Sequence, residues 1–196
     1  MAALRADAQR SIERILDAAV EELARDPEAS MAAVARRAGV VRATVYVHFP
    51  TREALVAAVT DRALREAAAA IEAAEPDRGD PAEAMQRVLA ATWRVLARHH
   101  ALVPITTSKA SEEVRELHEP VLGKLAPLLR RGQADGSFDD EVPVQWLLTV
   151  VLELVHAASR EVSAERLTDR DAERVLLRSV TGALAAPARR ARVGRS

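Results

Sequence analysis

Three breakers divide the first fifty residues and constrain this chain more than any other feature. Asp26-Pro27 ends one helical run, Gly39 interrupts a second, and Pro50 stops a third. From about Asp7 to Ala24, Ile12, Ile15, Leu16, Ala19 and Leu23 recur on one helix face. Ser30 is placed to cap a short second helix through Arg37. Ala38-Gly39-Val40 is a turn, and a third helix covers roughly Val41 to His48. Two short helices joined by a tight glycine turn are the pattern of a helix-turn-helix unit. Helical spacing turns Val45 and Phe49 inward, where with Val34 and Ala35 they form a small core on Ile12, Ile15 and Ala19. Ala43 and Val47 point nearly the opposite way, flanked by Thr44 and Tyr46. That outer face is short and uncluttered, as a helix entering a DNA major groove needs.

The rest of the chain also reads as helix. Its 196 residues suffice for one large domain or two small ones, and the 49% apolar fraction supplies a core. Only five aromatics are present, so Leu, Val and Ala must fill that core. Few runs alternate as strands do, and Ala and Leu favour helix. The expected fold class is all-α. Thr51 caps a fourth helix from Arg52 to near Ile71. Glu75 to Pro81 is the clearest break. Asp80-Pro81 then opens a helix to about Arg98, with Glu83 three residues after the cap. Irregular or short helical structure is expected through Pro104 to Ala110. Ser111 is read as the cap of a further helix, which Pro120 and Pro127 should kink or divide before it ends at Gly132. Gly132 to Phe138 is read as a loop. Helices from about Val142 to Val162 and Thr168 to Ala185 follow. The expected divisions are a helix-turn-helix domain at 1–50, a connecting fourth helix at 51–75, a helical body at 76–186 and a basic disordered tail at 187–196.

Composition removes several functional classes. The absence of cysteine excludes disulfides, thiolate metal sites and a Cys nucleophile. The N-terminus lacks the long apolar core of a signal peptide, and the most apolar stretch carries Glu153 and His156 and is too short to span a bilayer. The expectation is a cytoplasmic protein without a membrane partner. Net charge is −1, yet Ala29 to Arg52 holds Arg36, Arg37, Arg42 and Arg52 and no acid. A local basic island in a neutral chain fits a small phosphate contact.

The segment from Ser30 to Val59 resembles the DNA-binding segment of the tetracycline-repressor-like (TetR) family of transcription regulators. The matching residues are the Ala38-Gly39-Val40 turn, the Thr44-x-Tyr46-x-His48-Phe49 run, and the capped fourth helix opening with Arg52. The resemblance implies that Arg42 and Thr44 contact bases or phosphates and that Tyr46 and His48 bond backbone phosphates. Thr51 and Arg52 would hold another phosphate at a helix N-terminus, where free N–H groups suit an anion. Val41, Ala43 and Val47 complete the expected DNA-facing set. Val41 and Val47 depart from the family's polar usage; a valine there packs on a thymine methyl and donates no hydrogen bond.

Beyond the fourth helix the resemblance is one of length and helix order. It implies a C-terminal effector-binding and dimerisation domain. The helix from Val142 is apolar nearly all round and must be covered on both sides. A homodimer through the last two helices, paired as a four-helix bundle, covers it; Trp146, Val150, Leu154, Leu177 and Val180 are its expected interface. Met85, Leu89, Trp93, Leu96, His100, Val103, Leu122 and Leu125 are expected to wall the effector pocket. Their apolar character suits a small hydrophobic or amphipathic molecule. The function expected is a repressor that binds a palindromic double-stranded DNA operator as a dimer and is released by that molecule.

An enzyme is the main competing class. Glu153-x-x-His156 has di-iron spacing, but no second copy exists. His99 and His100 are adjacent and diverge by about 100° on a helix. No phosphate loop or nucleophile elbow is present. No cofactor, metal or catalytic residue is expected. A helical adaptor that has lost DNA binding is the other alternative: Val41 and Val47 favour it, while Thr44, Tyr46, His48 and Arg52 weigh against it.

Overall fold

A computed structural model describes residues 2–100, 102–103 and 111–187. The described elements are helices, in chain order α1 (Ala2–Arg25), α2 (Met31–Ala38), α3 (Arg42–His48), α4 (Arg52–Ala73), α5 (Pro81–Leu96), α6 (Ser111–Asp135), α7 (Val144–Ser163) and α8 (Asp169–Leu184). The stretch expected to be irregular, 104–110, and the tail beyond Pro187 lie outside the described residues.

Local chemistry explains most helix boundaries. Ser30, Thr51, Asp80 and Thr168 are N-caps whose side-chain oxygens accept from the N–H three residues on. At the start of α8, Thr168 Oγ1 also donates to Asp171 Oδ2 at 2.8 Å, while the Asp171 N–H returns a bond to that hydroxyl. Gly39 ends α2 at φ 66°, in the left-handed region open to glycine, and the Val40 N–H reaches Ala35 O at 3.1 Å.

The expected division of the sixth helix does not occur. α6 runs unbroken through Pro120 and Pro127 and includes Ser111 as its first residue. Both prolines are exposed, so water can reach the carbonyls that lose their N–H partners. On the opposite side Leu122, Leu125, Leu128 and Leu129 are buried and hold the helix in place. Nor does Gly132 end it. The helix continues to Asp135 and stops at Gly136, φ 83°. Gly132 serves packing: a Cβ there would lie 2.0 Å from Cδ2 of the buried Phe138 ring.

Two hydrophobic clusters result. One fills the angle between α1, α2, α3 and the start of α4, with Ile15, Ala19, Val34, Val45, Phe49 and Val59 at its centre. The other runs through α5 to α8, around Val88, Leu129, Leu147, Val151, Leu176 and Val180. Leu102 departs from this order of chain and cluster: it follows α5 yet packs in the first cluster. α4 joins the two, giving Leu55, Val56 and Val59 to the first and Ile71 to the second.

Candidate nucleic-acid interface and effector cavity

The outer face of α3 follows from the packing of its inner face. Val45 is fully buried and Phe49 nearly so, which leaves Val41 70% and Val47 77% exposed. Ala43 and Arg42 are exposed beside them, and Thr44 and His48 are half-buried at the edges. Val41 is the N-cap of α3 and, lacking an oxygen, makes no cap bond to the first turn. Arg42 lies over the Tyr46 ring, its guanidinium carbon 5.1 Å from the centroid, and Nη2 donates to the Tyr46 hydroxyl at 3.0 Å. The tyrosine oxygen therefore accepts from arginine and keeps its own proton for another acceptor. Both groups stand in solvent as one donor unit.

The basic island is smaller in space than in sequence. Arg37 donates to Glu21 at 2.6 Å and to Glu22 of α1, which raises it above the usual guanidinium value. Arg52 bonds the Pro27 carbonyl and stands 3.8 Å from Glu28, holding the α1–α2 loop. Glu53 occupies the N-terminus of α4: its own backbone N–H, then the Thr51 hydroxyl, hold its carboxyl below the usual range. Arg36 and Arg42 are the island's arginines without a carboxylate partner among the described ion pairs. Long-range partners on α1 and in the α1–α2 loop decide this, and the local count of charges did not contain them.

A cavity of about 120 Å³ lies between α4, α5, α6 and α7. Of the residues expected to wall it, Leu89, Leu96, Val103, Leu122 and Leu125 do so. Met85, Trp93 and His100 do not. The cavity-facing strip of α5 is Val88, Leu89, Thr92, Val95 and Leu96, continued by His99; Trp93 is turned off that strip, while Met85 shares its phase but lies a turn nearer the start of the helix. Met85 is buried in the main core. Trp93 Nε1 donates to Asp169 O at 3.2 Å, and its ring centroid lies 5.1 Å from that of His100. His100 in turn bonds Ser159 Oγ at 2.7 Å and Asp169 Oδ1 at 2.8 Å, tying the end of α5 to α7 and α8. The adjacent histidines diverge, and His99 goes to the cavity wall.

Sequence reasoning missed the walls from α4 and α7: Thr60, Ala63, Leu64 and Ala67 on one side, Val151, Leu152, Val155 and His156 on the other. His118 and His156 meet there, Nε2 to Nε2 at 3.3 Å with rings edge to face. Burial is the main cause that lowers both, and it takes His156 to about 4, with smaller effects from His118 and Arg160. His99 is lowered by burial against the opposing pull of Glu66. Among the described residues no three His, Asp or Glu side chains gather as a metal site. No described helix is long and apolar enough to cross a membrane.

On the far side of the body, Trp146 is 59% exposed, and Val150, Leu154 and Leu177 are half-buried. Val180 differs from its expected place: it is fully buried within one protomer and has no surface to offer a second.

A glycine-turned pair of short helices with an exposed second face, carried on an enclosed helical body, defines a helix-turn-helix regulatory protein. Residues 15–59 match the family model of bacterial regulatory proteins of the tetR family, and residues 81–175 match that of the tetracyclin repressor-like C-terminal domain. The chain belongs to the tetR family. It is 24% identical over 121 residues to the transcriptional repressor NicS of Pseudomonas putida, covering 57% of each protein. It is 38% identical over 81 residues to the repressor LfrR of Mycolicibacterium smegmatis, covering 41% of this chain and 43% of that one. The matches thus span about half the length of those relatives. The structure of LfrR in complex with proflavine superposes with TM-score 0.69 at 24% identity, over 91% of this chain and 98% of LfrR. FadR of Bacillus subtilis in complex with stearoyl-CoA gives 0.72 at 18% identity, over 88% and 98%.

Proposed function

We propose that the protein is a transcriptional repressor that binds a palindromic operator as a homodimer and leaves it when a small apolar effector enters the α4–α7 cavity. The single observation that carries the reading is Leu102. It lines the cavity and also packs in the hydrophobic core of the helix-turn-helix head. A typical ligand site is about 300–1,000 Å³, well above the 120 Å³ found here. A ligand of ordinary size must widen the cavity, and one wall it displaces belongs to the head. That supplies the differential affinity without which a ligand shifts no equilibrium.

On the DNA side, Arg42 and Tyr46 donate to phosphates, Thr44 and His48 flank them, and Val41 and Val47 pack on thymine methyls. One head presents a small contact. Two heads related by a two-fold axis read half-sites about 10 bp, or a multiple, apart. Trp146, Val150, Leu154 and Leu177 pair with their copies to hold that axis. The relatives named as repressors, and the proflavine bound by LfrR, support the same reading.

The test is fluorescence anisotropy with palindromic DNA taken from beside the gene, titrated with salt and with small aromatic ligands. Affinity should fall steeply and log-linearly with salt. Failure to bind any such duplex at low salt would sink the proposal in favour of an adaptor.

A further inference from the structure

The cavity wall is hydrocarbon except for Thr60, Thr92, His99, His118 and His156, and no Asp, Glu, Lys or Arg lines it. Thr92 is satisfied within its own helix, donating to Val88 O at 2.9 Å. The proton positions on His118 and His156 follow from their partners. The Val114 carbonyl can only accept, and it stands 2.7 Å from His118 Nδ1. That nitrogen carries the proton, and His118 Nε2 keeps a lone pair. His156 Nε2, 3.3 Å away, must donate to it. Nδ1 of His156 is then a bare acceptor, buried and without a partner. His99 is held less firmly: its Nε2 stands 3.5 Å from the Glu66 carboxylate, and both of its ring nitrogens are buried without a hydrogen-bond partner. The Thr60 hydroxyl oxygen is a further buried, unpartnered atom. Burial favours the neutral form of all three imidazoles.

We infer that the cavity selects an uncharged, largely apolar molecule carrying at least one hydroxyl or N–H donor, which His156 Nδ1 accepts. The inference rests on the reading of this cavity as the effector site. A purely apolar ligand leaves the imidazole lone pairs unpaired. A ketone or ether opposes them with lone pairs of its own. A carboxylate or ammonium finds no counter-charge in the wall. The donor, once bound, completes a directed chain: ligand to His156, His156 to His118, His118 to the Val114 carbonyl.

The volume, about 120 Å³, suits benzene-sized probes; an engineered apolar cavity of roughly 150 Å³ takes up benzene. Phenol, toluene and benzoate should be titrated into the full-length protein by calorimetry, with the 15N imidazole signals followed in parallel. Phenol should bind at least as tightly as toluene, despite its better hydration, and should shift the His156 Nδ1 resonance. In His156→Phe, phenol should lose about tenfold relative to toluene. Toluene preferred in both proteins, with the His156 signal unmoved, would overturn the donor requirement while leaving the cavity a ligand site. Benzoate binding more tightly than phenol at pH 8 would overturn the uncharged class. If neither phenol nor toluene binds, the cavity is no ligand site, and both readings fall. The wild-type NMR arm decides the matter even if His156→Phe does not fold.

Discussion

Arg62 on α4 donates from Nη1 to Asp17 Oδ1 on α1 at 2.7 Å, tying the connecting helix to the head. The same guanidinium stands 3.6 Å from Glu13 and 3.8 Å from Glu66. Glu66 takes a bond from Arg98 at 2.8 Å and faces His99 of the cavity wall. A polar path therefore runs beside the apolar one through Leu102.

If that path carries ligand response, Arg62→Met should reduce the coupling between effector and operator binding by roughly 0.5–2 kcal/mol. Asp17→Asn should do less, because Asp17 is 69% exposed and exposed pairs contribute about 0–1 kcal/mol. The check is operator affinity with and without a bound ligand. An unchanged ratio in Arg62→Met would assign the coupling to the apolar contacts, Leu102 among them.

On α3, Tyr46→Phe should leave the melting temperature unchanged, since the hydroxyl is in solvent, and weaken every operator variant alike. Val47→Ala should weaken binding at one base position only. Arg42→Ala should lower the salt slope by about one per head. Anisotropy on a panel of single-base operator variants separates these patterns; uniform loss for Val47→Ala would show that it fills space only.

Gly132→Ala should destabilise by about 1–2 kcal/mol. Glycine to alanine inside a helix ordinarily gains up to about 1 kcal/mol, but here the new methyl strikes the Phe138 ring. Gly123→Ala, whose Cβ would meet only Glu119 Oε1 at 3.6 Å, should show the ordinary gain. Urea unfolding of both variants measures the difference, and equal signs would refute the packing role of Gly132.

Acid should unfold the body through His156. Its folded value of about 4 lies below the ordinary 6.5. Between those values the unfolded chain binds the additional proton, so stability is full above 6.5 and is lost as pH falls toward 4. The loss is on the order of 3 kcal/mol. His118 shifts in the same direction and adds to it. Stability of wild type and His156→Phe across this window should converge on acidification; parallel curves would place the acid sensitivity elsewhere.

Much of the fold was legible along the chain because it depends on neighbours a few residues apart. Ser30, Thr51, Asp80 and Thr168 cap their helices by local bonds, Gly39 turns by its own backbone freedom, and Val45 and Phe49 are buried by helical phase. The outer face of α3 could be read for the same reason. What the sequence could not specify depends on partners far away in it. Glu21 and Glu22 neutralise Arg37, Pro27 and Glu28 hold Arg52, and packing of Leu122 to Leu129 carries α6 past two prolines. The placement of α5 that puts His99 on the cavity wall and Met85 in the main core is set by where α4 and α7 lie. So is the meeting of His118 with His156 across thirty-eight residues. Local spacing determined the elements and the candidate DNA face; only tertiary packing decided which polar groups remain unpaired, because pairing depends on distance in space and not along the chain.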